Sequence, residues 1–216
     1  MKVLGIDEAG RGPVVGPMVV AGAMIEEKNL PILEKIDVKD SKLLSPAQRR
    51  AIAKELVKVL DSFEVRVIGP ELIDQALNDP HSNLNKLELA TFASITNQMN
   101  PDKVIVDCPS VNDKKFLGEI KQKLDHKRDV IAEHKADSKY LIVGAASILA
   151  KERREEEIKK IKDKIGIDFG SGYLSDPRTS IFMQQNFKTY PEIFRKTWAP
   201  YKELMSGKHQ KKLDEF

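Results

Sequence analysis

The sequence predicts an α/β fold, a mixed sheet flanked by helices, with a small helical subdomain towards the C-terminal end. Three observations predict it. Short apolar runs of strand length alternate with longer runs of helical period in the order β-β-β-α-β-α-β-α, the pattern of a sheet with both antiparallel and parallel pairs. Two of the strands, Lys2 to Ile6 and Val104 to Val106, end directly on an aspartate. A composition of 41% hydrophobic and 32% charged residues over 216 positions supports one sizeable core with a modest appendage.

Each element follows from a local signal. After Lys2 to Ile6 comes a polar, glycine-bearing turn, Asp7 to Gly12, and Val14 to Ile25 returns as a second apolar stretch, so the pair reads as a hairpin. Helix is expected near Leu30 to Ile36, with a polar loop over Asp37 to Leu44. Ser45-Pro46-Ala47-Gln48 is a capping box with proline at the first helical position, which opens a helix reaching Leu60. Phe63 to Gly69 alternates like a strand, and Pro70 to Leu77 and Leu84 to Met99 are helical. The Val104 to Val106 strand is followed by helix over Asp113 to Leu124 and strand over Val130 to Glu133. Asp137-Ser138 then opens a long helix to Lys164, apolar in its first half and charged in its second, so that it starts buried and emerges into solvent. Gly166 to Asp176 is a glycine-rich loop. A boundary near Ile167 divides the chain into a main α/β domain (1–166), a helical subdomain (167–207) and a flexible tail (208–216).

Bulk charge leaves the partner open. Lys+Arg 36 against Asp+Glu 33 gives +3, so any phosphate-binding face must be built locally. The single cysteine, Cys108, excludes an intramolecular disulfide framework and fits a reducing cytosol. Pro13 to Ile25 imitates a secretory leader, but Asp7 and Glu8 precede it and Gly16-Pro17 interrupts it. It also falls short of the roughly 20 apolar residues a membrane span needs. The expectation is a soluble, cytoplasmic protein.

Asp7 and Asp107 follow strands, and in open α/β sheets ligand chemistry gathers at the carboxyl ends of strands. With the two strands as neighbours, their acids meet at one edge, where Glu8 and Asp137 can join them. Clustered, buried carboxylates repel and are tolerated chiefly around a cation. An all-oxygen donor set favours Mg²⁺ or Mn²⁺ over zinc. Taken singly, each acid has an ordinary structural reading as well, since aspartate after a strand is commonly a turn residue and before a helix commonly a cap.

The surrounding residues carry a resemblance. GIDEAGRG (Gly5 to Gly12), GPMVVAG (Gly16 to Gly22), VKDSK (Val38 to Lys42), VDCP (Val106 to Pro109), HKADSKY (His134 to Tyr140), AASILAK (Ala145 to Lys151) and GSGYLSDPRT (Gly170 to Thr179) recur in the order of type 2 ribonuclease H. The chain resembles the compact archaeal form of that family, ribonuclease HII, over about its first 200 residues. The resemblance implies a ribonuclease H-like fold with a helical C-terminal subdomain, and a monomer. It implies metal binding by Asp7, Glu8, Asp107 and Asp137, and two-metal hydrolysis of the RNA strand of RNA/DNA hybrids. Single ribonucleotides in duplex DNA are included, with 3′-hydroxyl and 5′-phosphate ends left behind. It matches Gly10, Arg11 and Gly12 to the segment contacting the ribonucleotide 2′-hydroxyl, and Tyr173 to the tyrosine that packs on the adjoining sugar.

The chemistry of these residue types agrees. A 2′-hydroxyl is what separates RNA from DNA, and a glycine turn lets backbone reach it closely; the same turn also serves the hairpin. Tyr173 offers a flat ring with a hydroxyl. Lys39, Lys42 and Lys151 are candidate phosphate contacts, each a mobile point charge, with Lys42 and Lys151 favoured by the family motifs and Arg178-Thr179 a weaker candidate of the same kind. Leu43, where a second lysine is common, and Leu174, where proline is common, depart from the family pattern. His134 reads as structural and stays outside the metal set. At the end of the chain, Gln210, Leu213 and Phe216 form a QxxLxxF pattern that resembles the peptide by which proteins plug into DNA sliding clamps. Two other classes compete. An actin-like ATPase or sugar kinase opens similarly but needs two such lobes, too many for 216 residues. A non-catalytic hybrid-binding module has no use for four mutually repelling acids.

Overall fold

The structure, a computed structural model, describes residues 1–38 and 44–207. The central element is a five-stranded sheet with spatial order β3-β2-β1-β4-β5. Its strands are β1 (Lys2–Ala9), β2 (Met18–Glu26), β3 (Ser62–Ile68), β4 (Lys103–Asp107) and β5 (Asp129–Glu133). β1 pairs antiparallel with β2 from Lys2↔Glu26 to Ala9↔Val19, and parallel with β4 from Val3↔Lys103 to Ile6↔Val106. β4 pairs parallel with β5 through Asp107↔Glu133. This is the mixed α/β sheet that the sequence predicts, but helix stands between β2 and β3, where the order β-β-β-α-β-α-β-α runs from strand to strand.

The helices are α1 (Leu30–Lys35), α2 (Pro46–Val59), α3 (Pro70–Asn78), α4 (Leu84–Met99), α5 (Asp113–Gln122), α6 (Ala136–Lys139), α7 (Leu141–Ile165), α8 (Pro177–Asn186) and α9 (Ala199–Met205). The start of α2 is the capping box read from the sequence: Ser45 accepts from the Gln48 amide and the Gln48 side chain accepts from the Ser45 amide, with Pro46 first in the helix.

By compactness the chain forms two units, neither a single stretch of chain. The first comprises Met1–Ala9, Val19–Val67 and Asn85–Arg154. Its core is small and β-branched: Val19, Ala21, Ala23 and Ile25 from β2 meet Ile142, Val143, Ala145, Ala146 and Leu149 from α7. Gly5 makes that packing possible, because a Cβ there would lie 2.4 Å from the Ile142 backbone. The second unit comprises Gly10–Met18, Ile68–Leu84 and Glu155–Phe216. Its core is aromatic, with Phe182 stacked on both Tyr190 and Phe194, and Val14 and Val15 packed among them.

Three expectations need correction. β1 does not stop at Ile6 but carries Asp7 and Glu8 inside the strand, because β2 pairs with it as far as Ala9. Val14 and Val15 are not the start of β2: Val15 bridges Phe194, and both belong to the aromatic core of the second unit. The long helix does not begin at Asp137. Ala136–Lys139 is a single helical turn that ends at Tyr140, which is extended (φ −122°, ψ 116°), and α7 starts afresh at Leu141. The Tyr140 hydroxyl donates to Glu133, and the Tyr140 carbonyl accepts from the Val143 and Gly144 amides, so the residue anchors the break and caps the new helix.

Candidate active site: an acidic sheet edge and a glycine turn

In the first unit the parallel register places Ile6 beside Val106, so Asp7 and Asp107 are the next residues on adjoining strands at their carboxyl ends. Gly5 and Asp7 share a face of β1. α7 crosses that face at Ile142 and Val143, and one turn further along it carries Ser147, fully buried, towards Asp7. The third acid, Asp137, sits on the α6 turn, which is itself fastened to β4: the Ala136 amide donates to Asp107 Oδ1 at 2.8 Å. Lys135, in the left-handed region at φ 56°, swings the chain from β5 into that turn.

The electrostatics are those of crowded acids. Asp7 is 4% exposed and its pKa is pushed up to about 7. Burial is the main cause, with Asp107 and then Asp137 adding like-charge repulsion. The Ser147 hydroxyl and the Glu8 amide, at 2.7 Å from Oδ1, offset part of it. Ser147 lies close enough to lower the Asp7 pKa, yet it makes no hydrogen bond of full geometry. Among the described residues, no three His, Cys, Asp or Glu side chains close into a metal cage. Glu8, half-buried, is the next residue along β1 and so starts from the opposite face of the strand to Asp7.

In the second unit, Gly10 has φ 77°, which glycine alone adopts without cost, and Gly12 lies against Tyr173: a Cβ at Gly12 would be 3.6 Å from the ring. Tyr173 is 37% exposed, on a loop built by a charge network. Asp176 caps α8 and accepts from the Ser171 amide and from both Nε and Nη2 of Arg178, which holds its carboxyl at about 2. Arg178 also reaches Asp168, and Thr179 ties the Gly172 amide to the Phe169 carbonyl.

Of the remaining candidates, Lys151 is half-buried on α7, one residue before Glu152, which pairs with Arg49 at 2.6 Å. Lys39, Lys42 and the tail residues Gln210, Leu213 and Phe216 lie outside the described residues. His134 Nδ1 lies 3.2 Å from the Cys108 carbonyl, in keeping with a structural histidine. Sequence reasoning missed Ser147, Lys135 and the network of Asp168, Asp176 and Arg178. It also missed Arg195, a fully buried arginine in the second unit, and its neighbour Trp198. Ser147 stands inside a quoted motif and could have been singled out, and Arg178 reads from the sequence only as a phosphate contact; Arg195 and Trp198 carry no local signal.

A mixed sheet of this order, with aspartates at the carboxyl ends of its two central parallel strands, defines the ribonuclease H-like class of nucleases. The family model "Ribonuclease HII" matches residues 4–201, and the chain belongs to the ribonuclease HII family. Ribonuclease HII of Pyrococcus horikoshii is 45% identical over 100% of this chain and 99% of its own. The crystal structure of ribonuclease H2 from Pyrococcus horikoshii OT3 superposes with a TM-score of 0.88 over 97% of this chain and 100% of that one. A structure of the PCNA:RNase HII complex from Archaeoglobus fulgidus gives 0.84 at 39% identity, over 92% and 95%. As a member of this family the chain is a hydrolase, a ribonuclease acting on the RNA strand of RNA/DNA hybrids. Among the described residues, no helix is long and apolar enough to cross a membrane.

Proposed function

We propose that the chain is an endoribonuclease that cuts hybrids, and duplex DNA containing single ribonucleotides, with divalent ions held by Asp7, Glu8, Asp107 and Asp137. The observation that carries this is the state of Asp7: a nearly buried carboxylate, raised to about 7, whose acidic neighbours Asp107 and Asp137 only raise it further. A divalent cation reverses the sign of that interaction, and the all-oxygen donor set fits Mg²⁺ or Mn²⁺. Bound at such an edge, two divalent ions supply an activated water and stabilise the departing 3′-oxygen. The chain's own share is placement. β1 and β4 fix two acids on adjoining strands, and the Ala136 amide orients Asp107 by donating to its Oδ1.

Substrate selection rests on Gly10, Arg11 and Gly12, one residue beyond Asp7-Glu8 in the chain, on Tyr173 for the adjoining sugar, and on Lys42 and Lys151 for phosphate. The test is cleavage of a duplex carrying one ribonucleotide, with Mg²⁺ and with EDTA. Metal-dependent cutting on the 5′ side of the ribonucleotide, leaving 3′-hydroxyl and 5′-phosphate ends, is expected. Cleavage in EDTA, or products ending in a 2′,3′-cyclic phosphate, would overturn the proposal.

We also infer that the tail binds a sliding clamp. The QxxLxxF arrangement of Gln210, Leu213 and Phe216 supports this, as does the PCNA complex of the Archaeoglobus fulgidus relative.

A further inference from the structure

Arg195 has no exposed surface, and a buried guanidinium is tolerable only when its donors are satisfied. What satisfies it is one loop. Nε donates to the Gly16 carbonyl at 3.0 Å, Nη1 to the Arg11 carbonyl at 2.7 Å and Nη2 to the Gly10 carbonyl at 2.5 Å. Three residues on, Trp198 Nε1 donates to the Gly12 carbonyl at 3.2 Å, and the Trp198 ring lies 4.9 Å from the guanidinium carbon. The carbonyls of Gly10, Arg11 and Gly12 are therefore all engaged by two side chains 184 to 186 residues away in the chain. The segment that carries these side chains is fixed in turn. Asp74 accepts from the Lys196 and Thr197 amides and from the Thr197 hydroxyl.

Each peptide unit carries one donor and one acceptor. With the carbonyls of Gly10, Arg11 and Gly12 engaged by Arg195 and Trp198, the peptide units of the glycine turn present their donor side to an oxygen of the substrate. We infer that Arg195 and Trp198 are positioning residues that set the donor polarity of the Gly10–Gly12 turn and thereby its preference for a ribonucleotide over a deoxynucleotide. The inference deepens the proposed substrate reading and rests on it.

Three full-length proteins decide it: wild type, Trp198→Phe, which keeps a ring over the guanidinium but deletes its N–H, and Arg195→Lys, whose single ammonium cannot span three carbonyls. Binding is measured in EDTA to two duplexes that differ only in one nucleotide, ribo or deoxy. Wild type is expected to favour the ribo duplex. Both variants should lose about five- to tenfold of that preference, with affinity for the deoxy duplex unchanged, as the loss of one or two hydrogen bonds predicts. If Arg195→Lys does not fold, Trp198→Phe alone decides. An unchanged preference in the folded variants, or equal losses on both duplexes, would overturn the inference while leaving the substrate reading intact. A wild type without any ribo preference would instead remove the substrate reading, and the inference with it.

Discussion

Asp7 in the first unit and Arg195 in the second are both nearly or wholly withdrawn from solvent, yet their surroundings differ in kind. Around Asp7, burial and then the nearby acids Asp107 and Asp137 raise the carboxyl to about 7. Around Arg195 the donors meet three carbonyls and an aromatic face. The same contrast holds at the next level out, where Asp176 on the tyrosine loop is held near 2 by Arg178 and the Ser171 amide. Acids clustered together mark where a cation and chemistry belong; charge compensated internally marks where backbone is being held in shape.

The largest effect should come from removing one of the clustered acids. Asp7→Asn or Asp107→Asn should lower turnover at least about a thousandfold while hybrid binding stays near that of the wild type, because positioned charge at a reacting centre carries that scale of effect. Equal losses of binding and turnover in a folded variant would move these acids into the scaffold. The same substitution has an opposite effect on stability in EDTA. The folded-state pKa of Asp7, about 7, lies above its ordinary 3.8, so the folded chain holds this proton more tightly than the unfolded one. The penalty is absent below pH 4, grows as pH rises towards 7, and is complete above it, amounting to a few kcal/mol, roughly 1.4 per pH unit. Thermal unfolding in EDTA should show Asp7→Asn more stable than wild type at pH 8 and no more stable at pH 4.

Tyr173→Ala should come next, slowing cleavage at a lone ribonucleotide in DNA about tenfold more than cleavage within a long RNA/DNA hybrid, because a base- or sugar-packing ring contributes on the order of 1–3 kcal/mol. The same factor on both substrates would make Tyr173 a general packing residue.

The tail offers an effect on a partner instead of on chemistry. Deleting Gln210 to Phe216 should abolish clamp binding measured by calorimetry and spare cleavage of short duplexes. The two apolar anchors, Leu213 and Phe216, supply only about 1.5–3 kcal/mol each before ordering costs, so losing either should weaken binding severely. Unchanged clamp affinity would sink the tail assignment alone.

The smallest effect belongs to a compensated charge. Asp176 has a folded pKa near 2, below its ordinary 3.8, so its contribution to stability is present above pH 4 and fades as pH falls through 2. The stability difference between wild type and Asp176→Ala should shrink over that window. A difference constant from pH 5 to pH 2 would mean that the Arg178 pairing does not hold the loop.

Much of this contrast was legible in the chain, and the boundary of legibility has a physical reason. Local chemistry wrote the capping box at Ser45–Gln48 and the apolar strands β1 and β4, and hence the meeting of Asp7 with Asp107. Where an element's extent depends on its neighbour, local signals fell short: β1 runs on through Asp7 and Glu8 because β2 pairs with it. The helical pattern passes through Tyr140 without interruption, and only the hydroxyl bond to Glu133 explains the break. Arg195 was illegible for the same reason, since its partners are carbonyls, which have no sequence of their own, at positions 10, 11 and 16.

The central claim is that the clustered acids of the first unit bind divalent ions, and a calorimetric titration of the full chain with Mn²⁺ tests it most directly. Wild type should bind Mn²⁺; Asp7→Asn and Asp107→Asn should each weaken binding at least about tenfold, the loss of one charged ligand being worth 1.4 kcal/mol or more. Tyr173→Ala, in the second unit, should bind as wild type does. Equal affinity and stoichiometry in wild type and Asp7→Asn would contradict the account.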